Sequence, residues 1–320
     1  CDEGVFAVSM EVSSHALVQG RTNGVAFETA VYTNLSHDHL DYHGDMDAYG
    51  RAKLRLFASE GLRHALINAD DDYSAQVRAV VDPAVQVLTY SASGGAADVR
   101  VENARFRADG VHGELHTPWG SGDFSSPLPG DFNLANVAAA VSALVLAGEE
   151  FLAVLEAVSK LAPVPGRMQA IPNDLGLQVI IDYAHTPDAL EQVLKALRPH
   201  VDGSLVTVFG CGGERDREKR QVMGRVACAW SDKVLVTSDN PRGEEPLEII
   251  RDIATGCTGD YQLVEDRAEA ISRALAAAGS GDCVVIAGKG HEDYQLVGSE
   301  RLYFSDEAQA RDQLARRTLS

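Results

Sequence analysis

After residue 178 the chain settles into a strict rhythm, and this rhythm restricts its fold more than any other feature. Short apolar runs at 178–183, 204–209, 233–237, 261–264 and 283–287 alternate with helical stretches at 187–197, 217–230, 247–255, 269–278 and 306–316. The first of those helices opens with Thr186 as N-cap and Pro187 at the first helical position, where a missing N–H costs nothing. Strands joined through helices must run parallel, with right-handed crossovers. Ligands of such sheets bind at the carboxyl ends of the strands. The residues just after each apolar run are therefore the ones to read for chemistry.

The first half is less regular. A short apolar run at 5–10 ends at a carboxylate, Glu11, and 48–56 has helical spacing. Strands are predicted at 65–68 and 85–90, with the acidic turn Ala69-Asp70-Asp71-Asp72 between them. Residues 91–130 are rich in Gly and Ser, with alternating stretches at 99–106 and 113–117, which predicts antiparallel hairpins. Helices are predicted at 133–147 and 151–161. The breaker cluster Ala162-Pro163-Val164-Pro165-Gly166 then marks a domain boundary, giving domains 1–165 and 166–320.

Composition removes several classes of function. A net charge of −19 argues against nucleic acid or an anionic membrane as partner, since both need a basic surface. It leaves anionic small substrates open, because a few local cations can hold a phosphate. The cysteines, Cys1, Cys211, Cys228, Cys257 and Cys283, are odd in number and form no CxxC pair, which reads as reduced thiols in the cytoplasm. No apolar run approaches the ~18 residues of a membrane span, and no signal peptide is read. The chain opens on Cys1, almost inside an apolar run, and this predicts a segment cut from a longer protein.

Four segments carry chemistry. The first is Glu11-Val12-Ser13-Ser14-His15, followed by Gln19 and Arg21. The second runs from Asn34 through His37-Asp38-His39-Leu40-Asp41-Tyr42-His43-Gly44 to Tyr49 and Lys53. The third is Asp182-Tyr183-Ala184-His185-Thr186-Pro187-Asp188. The fourth gathers Gly210-Cys211-Gly212-Gly213-Glu214-Arg215-Asp216, Asp239-Asn240-Pro241-Arg242 and Gly288-Lys289-Gly290-His291-Glu292. Glu11 at a strand end, with His39 from a nearby loop, suits Mg²⁺, which takes few protein ligands and keeps waters and phosphates. A plain polar surface loop accounts for the same residues. Arg215 and Arg242 can grip carboxylates bidentately and clamp an amino acid, with Glu292 taking its amine. A solvated turn accounts for these equally.

Together, in order and spacing, these segments resemble the Mur ligases, the ATP-dependent amide-forming enzymes of peptidoglycan synthesis. Within that family the chain is most similar to the members adding meso-diaminopimelate to UDP-N-acetylmuramoyl-L-alanyl-D-glutamate. The resemblance implies an α/β fold: a partial central P-loop-type ATPase domain with a mixed sheet, then a Rossmann-like carboxy-terminal domain with a mainly parallel sheet. It implies that Ser13, Gln19 and Arg21 hold the UDP-muramoyl-dipeptide. Glu11, His39 and a carbamylated Lys53 would bind Mg²⁺, with Lys53, His39 and Arg167 catalytic. Asn133, Asn136, Arg167 and Asp182 would contact ATP. Arg215, Asp239, Asn240, Pro241, Arg242, Gly288 and Glu292 would form the pocket for the incoming amino acid, with Arg242 on the distal carboxylate of diaminopimelate. A cytoplasmic monomer is implied.

One departure stands out. The family's GxxxxGK[ST] phosphate loop does not occur in the chain, and Gly288-Lys289-Gly290 has neither the spacing nor the Ser/Thr to replace it. The expectation is a central domain truncated at its start and a chain unable to turn over ATP alone. Open alternatives are a lysine- or ornithine-adding ligase, a folylpolyglutamate synthase-like enzyme, and a non-catalytic binding module.

Overall fold

A computed structural model describes residues 7–107, 110–128 and 130–318. Cys1 and the start of the 5–10 run lie outside the described residues, and 7–10 carries no regular structure. The chain then forms α1 (Ser14–Val18), β1 (Thr29–Tyr32), α2 (Leu40–His43), α3 (Met46–Phe57), β2 (His64–Asn68), α4 (Ser74–Val80) and β3 (Gln86–Ser91). Next come β4 (Val99–Arg107), β5 (Gly110–Thr117), β6 (Gly120–Ser126), α5 (Asp131–Leu146) and α6 (Phe151–Val158). These strands make one sheet in sequential order, parallel from β1 to β4 and antiparallel from β4 to β6. The hairpins expected within 91–130 are the antiparallel half of this sheet.

Each face of the sheet has its own core. Leu66, Leu88, Tyr90, Val101 and Leu115 pack against Leu134, Val137 and Val141 of α5 and Val154 and Leu155 of α6. On the other face Ala30, Tyr32, Ala65 and Ile67 meet Phe57 of α3 and Val77 of α4. Helix α3 starts where the Asp45 side chain accepts the Ala48 N–H at 2.7 Å, and it buries Tyr49, Ala52 and Phe57. That burial fixes Lys53, one turn beyond Tyr49.

The second half adds β7 (Gln169–Ala170), β8 (Gln178–Asp182), α7 (Pro187–Leu197), β9 (Leu205–Phe209), α8 (Glu218–Trp230), β10 (Lys233–Val236), α9 (Pro246–Ala254) and β11 (Tyr261–Leu263). It closes with α10 (Arg267–Ala277), β12 (Cys283–Ala287), the hairpin β13 (Tyr294–Val297) and β14 (Glu300–Tyr303), and α11 (Asp306–Thr318). The sheet order is β11-β10-β9-β12-β8-β7, parallel except for β7. Alternate strand residues go to opposite faces. Ile180 and Val285 join α7, α8 and α9, while Val179, Ile181, Val284 and Ile286 join α10 and α11. With both faces covered, the strands are apolar throughout. Leu190, Val193, Leu194 and Leu197 line the buried stripe of α7, and each leucine is worth about 1.5–3 kcal/mol of burial. Strand β12, inserted between β9 and β8, brings the loops after β8, β9, β10 and β12 to one edge.

Candidate active site

In the first half, three short elements converge. Helix α1 is capped by the Ser13 hydroxyl, which accepts the Ala16 N–H at 3.2 Å. The His15 ring lies 4.7 Å from His39, 4.2 Å from Tyr42 and 5.4 Å from His43, centre to centre. His43 stacks on Tyr49 at 5.3 Å, and its Nε2 lies 2.9 Å from Ser14 Oγ. The Lys53 ammonium sits 5.1 Å from the centre of the Tyr49 ring. Gln19 donates to the Tyr42 hydroxyl at 3.4 Å, and Arg21 is exposed beside it. Thus Ser13, Gln19, His39 and Lys53, separate in sequence, border one cage of rings. His15, Tyr42, His43 and Tyr49 build that cage and had no role in the sequence reading.

Electrostatics in this cage are unusual. Burial lowers the Lys53 pKa, although the carboxylates of Asp71, Asp38 and Glu11 pull it back up. Burial likewise lowers His39, which keeps its imidazole neutral with a lone pair to offer. Asp71 is held by the Tyr32 hydroxyl at 2.6 Å and the Leu35 N–H at 3.1 Å. Among the described residues no three His, Cys, Asp or Glu side chains form a ready metal site.

The loop bearing His39 also reaches the second sheet. The His37 Nε2 lies 2.8 Å from Asp216 Oδ2, Asp38 Oδ2 lies 3.8 Å from His185 Nε2, and Asp41 lies 3.8 Å from Arg215. A further crossing point is the start of α5, where Phe132 packs against the α7–α9 core. Asn136 donates to Asn133 at 3.1 Å in that same turn.

At the strand ends of the second sheet, Asp182 is buried and braces backbone. Its two oxygens accept the Met168 and Ala184 N–H groups, each at 2.7 Å. Burial raises its pKa. Arg167 lies over the Tyr183 ring at 4.6 Å. The loop after β9 and the turn after β10 press together: a Cβ on Gly213 would stand 2.0 Å from the Pro241 carbonyl oxygen. One on Gly212 would stand 2.8 Å from Arg242 Nη1 and 3.7 Å from Arg215 Cγ. Bare backbone at Gly212 therefore leaves room for the Arg242 guanidinium and for the Arg215 stem, whose own guanidinium lies 3.8 Å from Asp41. Arg242 donates to the carbonyls of Gly213 at 2.8 Å and Asn240 at 3.4 Å, and makes no ion pair among the described residues.

The expected Asp239, Asn240 and Glu292 also meet, around a residue to which the sequence reading gave no role. Lys289 is completely buried, with its ammonium 3.2 Å from Asp239, 3.0 Å from Asn240 and 3.4 Å from Glu292. Its setting between two glycines at a strand end was the available signal. Asn240 is committed internally, donating to Glu292 at 3.0 Å and accepting from Leu296 N–H at 3.0 Å. It serves as a bracket within the pocket.

Both halves of the chain are similar to known proteins. Residues 1–144 match the Mur ligase middle domain, and residues 166–290 match the Mur ligase, glutamate ligase domain. Curated proteins named UDP-N-acetylmuramoyl-L-alanyl-D-glutamate–2,6-diaminopimelate ligase are similar over 99% of the chain: 49% identical in Synechococcus elongatus and 50% in Gloeobacter violaceus. The chain spans 64% of the length of each. A solved structure of a ligase of that name is 42% identical, with a TM-score of 0.61 over 96% of this chain and 64% of its own. A pseudomurein peptide ligase type C from Methanothermus fervidus shares the fold, with a TM-score of 0.71 at 16% identity over 96% of this chain and 66% of its own.

Proposed function

The chain belongs to the Mur ligase family, and on that premise we propose that it supplies most of the ATPase domain (residues 1–165) and the amino-acid-binding domain (residues 166–320) of a ligase joining meso-diaminopimelate to UDP-N-acetylmuramoyl-L-alanyl-D-glutamate. One observation carries the choice of amino acid. Arg242 lies over Gly212 without a carboxylate partner among the described residues, on the turn that also carries Asp239 of the Asp239–Lys289–Glu292 cluster, while the Arg215 stem passes the same glycine toward Asp41. This arrangement suits an amino acid that brings an ammonium and carries one carboxylate more than lysine or ornithine. The names of the relatives that are 49% and 50% identical support the same reading.

The proposed chemistry has two steps. The D-glutamyl carboxylate attacks the γ-phosphorus of ATP, giving an acyl phosphate and ADP. The amine of diaminopimelate then attacks the acyl carbon and phosphate leaves. Ser13, Gln19 and Arg21 orient the muramoyl-dipeptide, and Asn133, Asn136, Arg167 and Asp182 orient the nucleotide. Holding both substrates in register supplies much of the rate. Glu11, His39 and carbamylated Lys53 fit Mg²⁺, whose charge would offset that of the phosphates. Carbamylation needs a neutral amine, and burial moves Lys53 toward one.

Titration calorimetry of the 320-residue chain with meso-diaminopimelate, L-lysine and L-ornithine tests the amino-acid assignment. Diaminopimelate is expected to bind most tightly. Tighter binding of lysine or ornithine would overturn it.

A further inference from the structure

Lys289 makes contacts that a substrate-binding lysine would not make. An ammonium has three N–H donors. In Lys289 three side-chain acceptors meet them: Asp239 Oδ1, Asn240 Oδ1 and Glu292 Oε2. No proton remains for a ligand, yet every partner belongs to the proposed amino-acid pocket. The Asn240–Glu292 bond closes the ring. One cation faces two carboxylates, so the cluster keeps one surplus negative charge. Arg267 on α10, another cation acting on both carboxylates, is already matched by Asp306 at 2.8 Å.

We propose that Lys289 is a positioning residue: it holds the Asp239 and Glu292 carboxylates at fixed separation, so that their surplus charge receives the ammonium of an incoming α-amino acid. This rests on the amino-acid pocket proposed above. Without the lysine, two neighbouring carboxylates would share a proton, as close like charges do. The other groups around them are the Tyr183 hydroxyl after β8 with Arg167 over its ring, Tyr294 at the start of β13 with Arg301 over its ring, Arg242 on the turn after Asn240, and Arg267. Among the described residues, Lys289 is the cation that bonds both carboxylates directly.

The test is calorimetric binding of meso-diaminopimelate to the 320-residue chain across the range from about pH 6 to about pH 8, where shared protons show. Wild type should bind with a flat pH profile. Lys289→Met should bind about 30-fold more weakly near neutrality and lose about a further tenfold on acidification, as one carboxylate takes up a proton. Wild-type affinity with a flat profile in Lys289→Met would overturn the proposal. If that variant does not melt cooperatively, Glu292→Gln is compared with Lys289→Met/Glu292→Gln, which buries a single carboxylate. The double variant should bind about tenfold more weakly than Glu292→Gln, a loss of alignment rather than of charge balance. Equal affinities would refute positioning. A wild-type chain that binds no amino acid overturns the pocket itself, a result separate from either variant outcome.

Discussion

Arg220 and Glu244 meet fork to fork, Nη2 to Oε1 at 2.9 Å and Nη1 to Oε2 at 3.0 Å, with the guanidinium completely buried beneath the Gly212 loop. Glu244 also accepts the Glu214 N–H at 2.5 Å, so the pair ties α8 to the backbone that carries Arg215. The Arg220 bonds hold the Glu244 carboxyl down at about 2. A carboxylate depressed on folding stabilises fully above its unfolded value of 4.5 and loses that contribution as pH falls toward about 2. Glu244→Gln should therefore cost about 2 kcal/mol at neutral pH by urea unfolding, since Arg220 loses its charged fork but keeps Asp252 at 2.9 Å. Its stability should also fall less steeply than wild type through that acid window. Parallel acid profiles would contradict the assignment.

Gly213→Ala should disturb the pocket more than the fold. The added methyl would stand 2.0 Å from the Pro241 carbonyl, so the turn holding Asp239 to Arg242 must move. A displacement of about 1 Å at a binding constellation can cost about 100-fold. Diaminopimelate affinity should fall by that order, with a loss of about 2 kcal/mol in stability as for other overpacked sites. Unchanged affinity would show that the two loops are free to separate.

Arg242→Met addresses selectivity. An arginine built to meet a carboxylate penalises ligands that lack one. Removing it should weaken diaminopimelate by about 100-fold while changing lysine by less than about threefold. Competition calorimetry reads the ratio, and an equal loss for both amino acids would assign Arg242 to architecture.

Lys53 should react with carbon dioxide at a lower pH than an exposed lysine, because burial lowers its pKa and enlarges its neutral fraction. Carbon-13 NMR in labelled bicarbonate should show one carbamate signal that rises with pH and vanishes in Lys53→Arg. Persistence of the signal in that variant would place the carbamate elsewhere.

Arg267 and Asp306 are both fully buried and bonded twice, at 2.8 Å each. Arg267 also donates to the carbonyls of Ala287 at 2.9 Å and Ser238 at 3.3 Å, tying the ends of β12 and β10 together. Breaking the pair with Arg267→Met should cost about 3–5 kcal/mol, and adding Asp306→Leu should recover much of it. A double-mutant cycle in urea measures the coupling, and additive losses would mean the ion pair carries none.

The second sheet was legible because its signals are local. Fully buried strands read as unbroken apolar runs, and Thr186-Pro187 announces α7 within two residues. Strand β1 is hard to read because Thr29–Tyr32 is only four residues long. The hairpin β13–β14 lacks a buried residue, so no pattern marks it. In the site, the motif residues were readable one segment at a time, while their company was not. The His15–Tyr49 cage exists only where α1, α2 and α3 converge. Lys289, between two glycines, reads as a solvated loop residue until Asp239 and Asn240 arrive from 50 and 49 positions away.

Arg220, Arg267 and Lys289 each carry their own protein counter-ions into the interior. Dissolved salt weakens attraction between exposed charges within a Debye length of about 10 Å at 0.1 M, and it reaches buried pairs far less. The floor of the second-half pocket is thereby insulated from the ionic strength of its surroundings, although the chain as a whole bears −19. Recognition of a zwitterion there should hold steady across salt concentrations, whereas capture of a polyanionic nucleotide by exposed groups would track the medium.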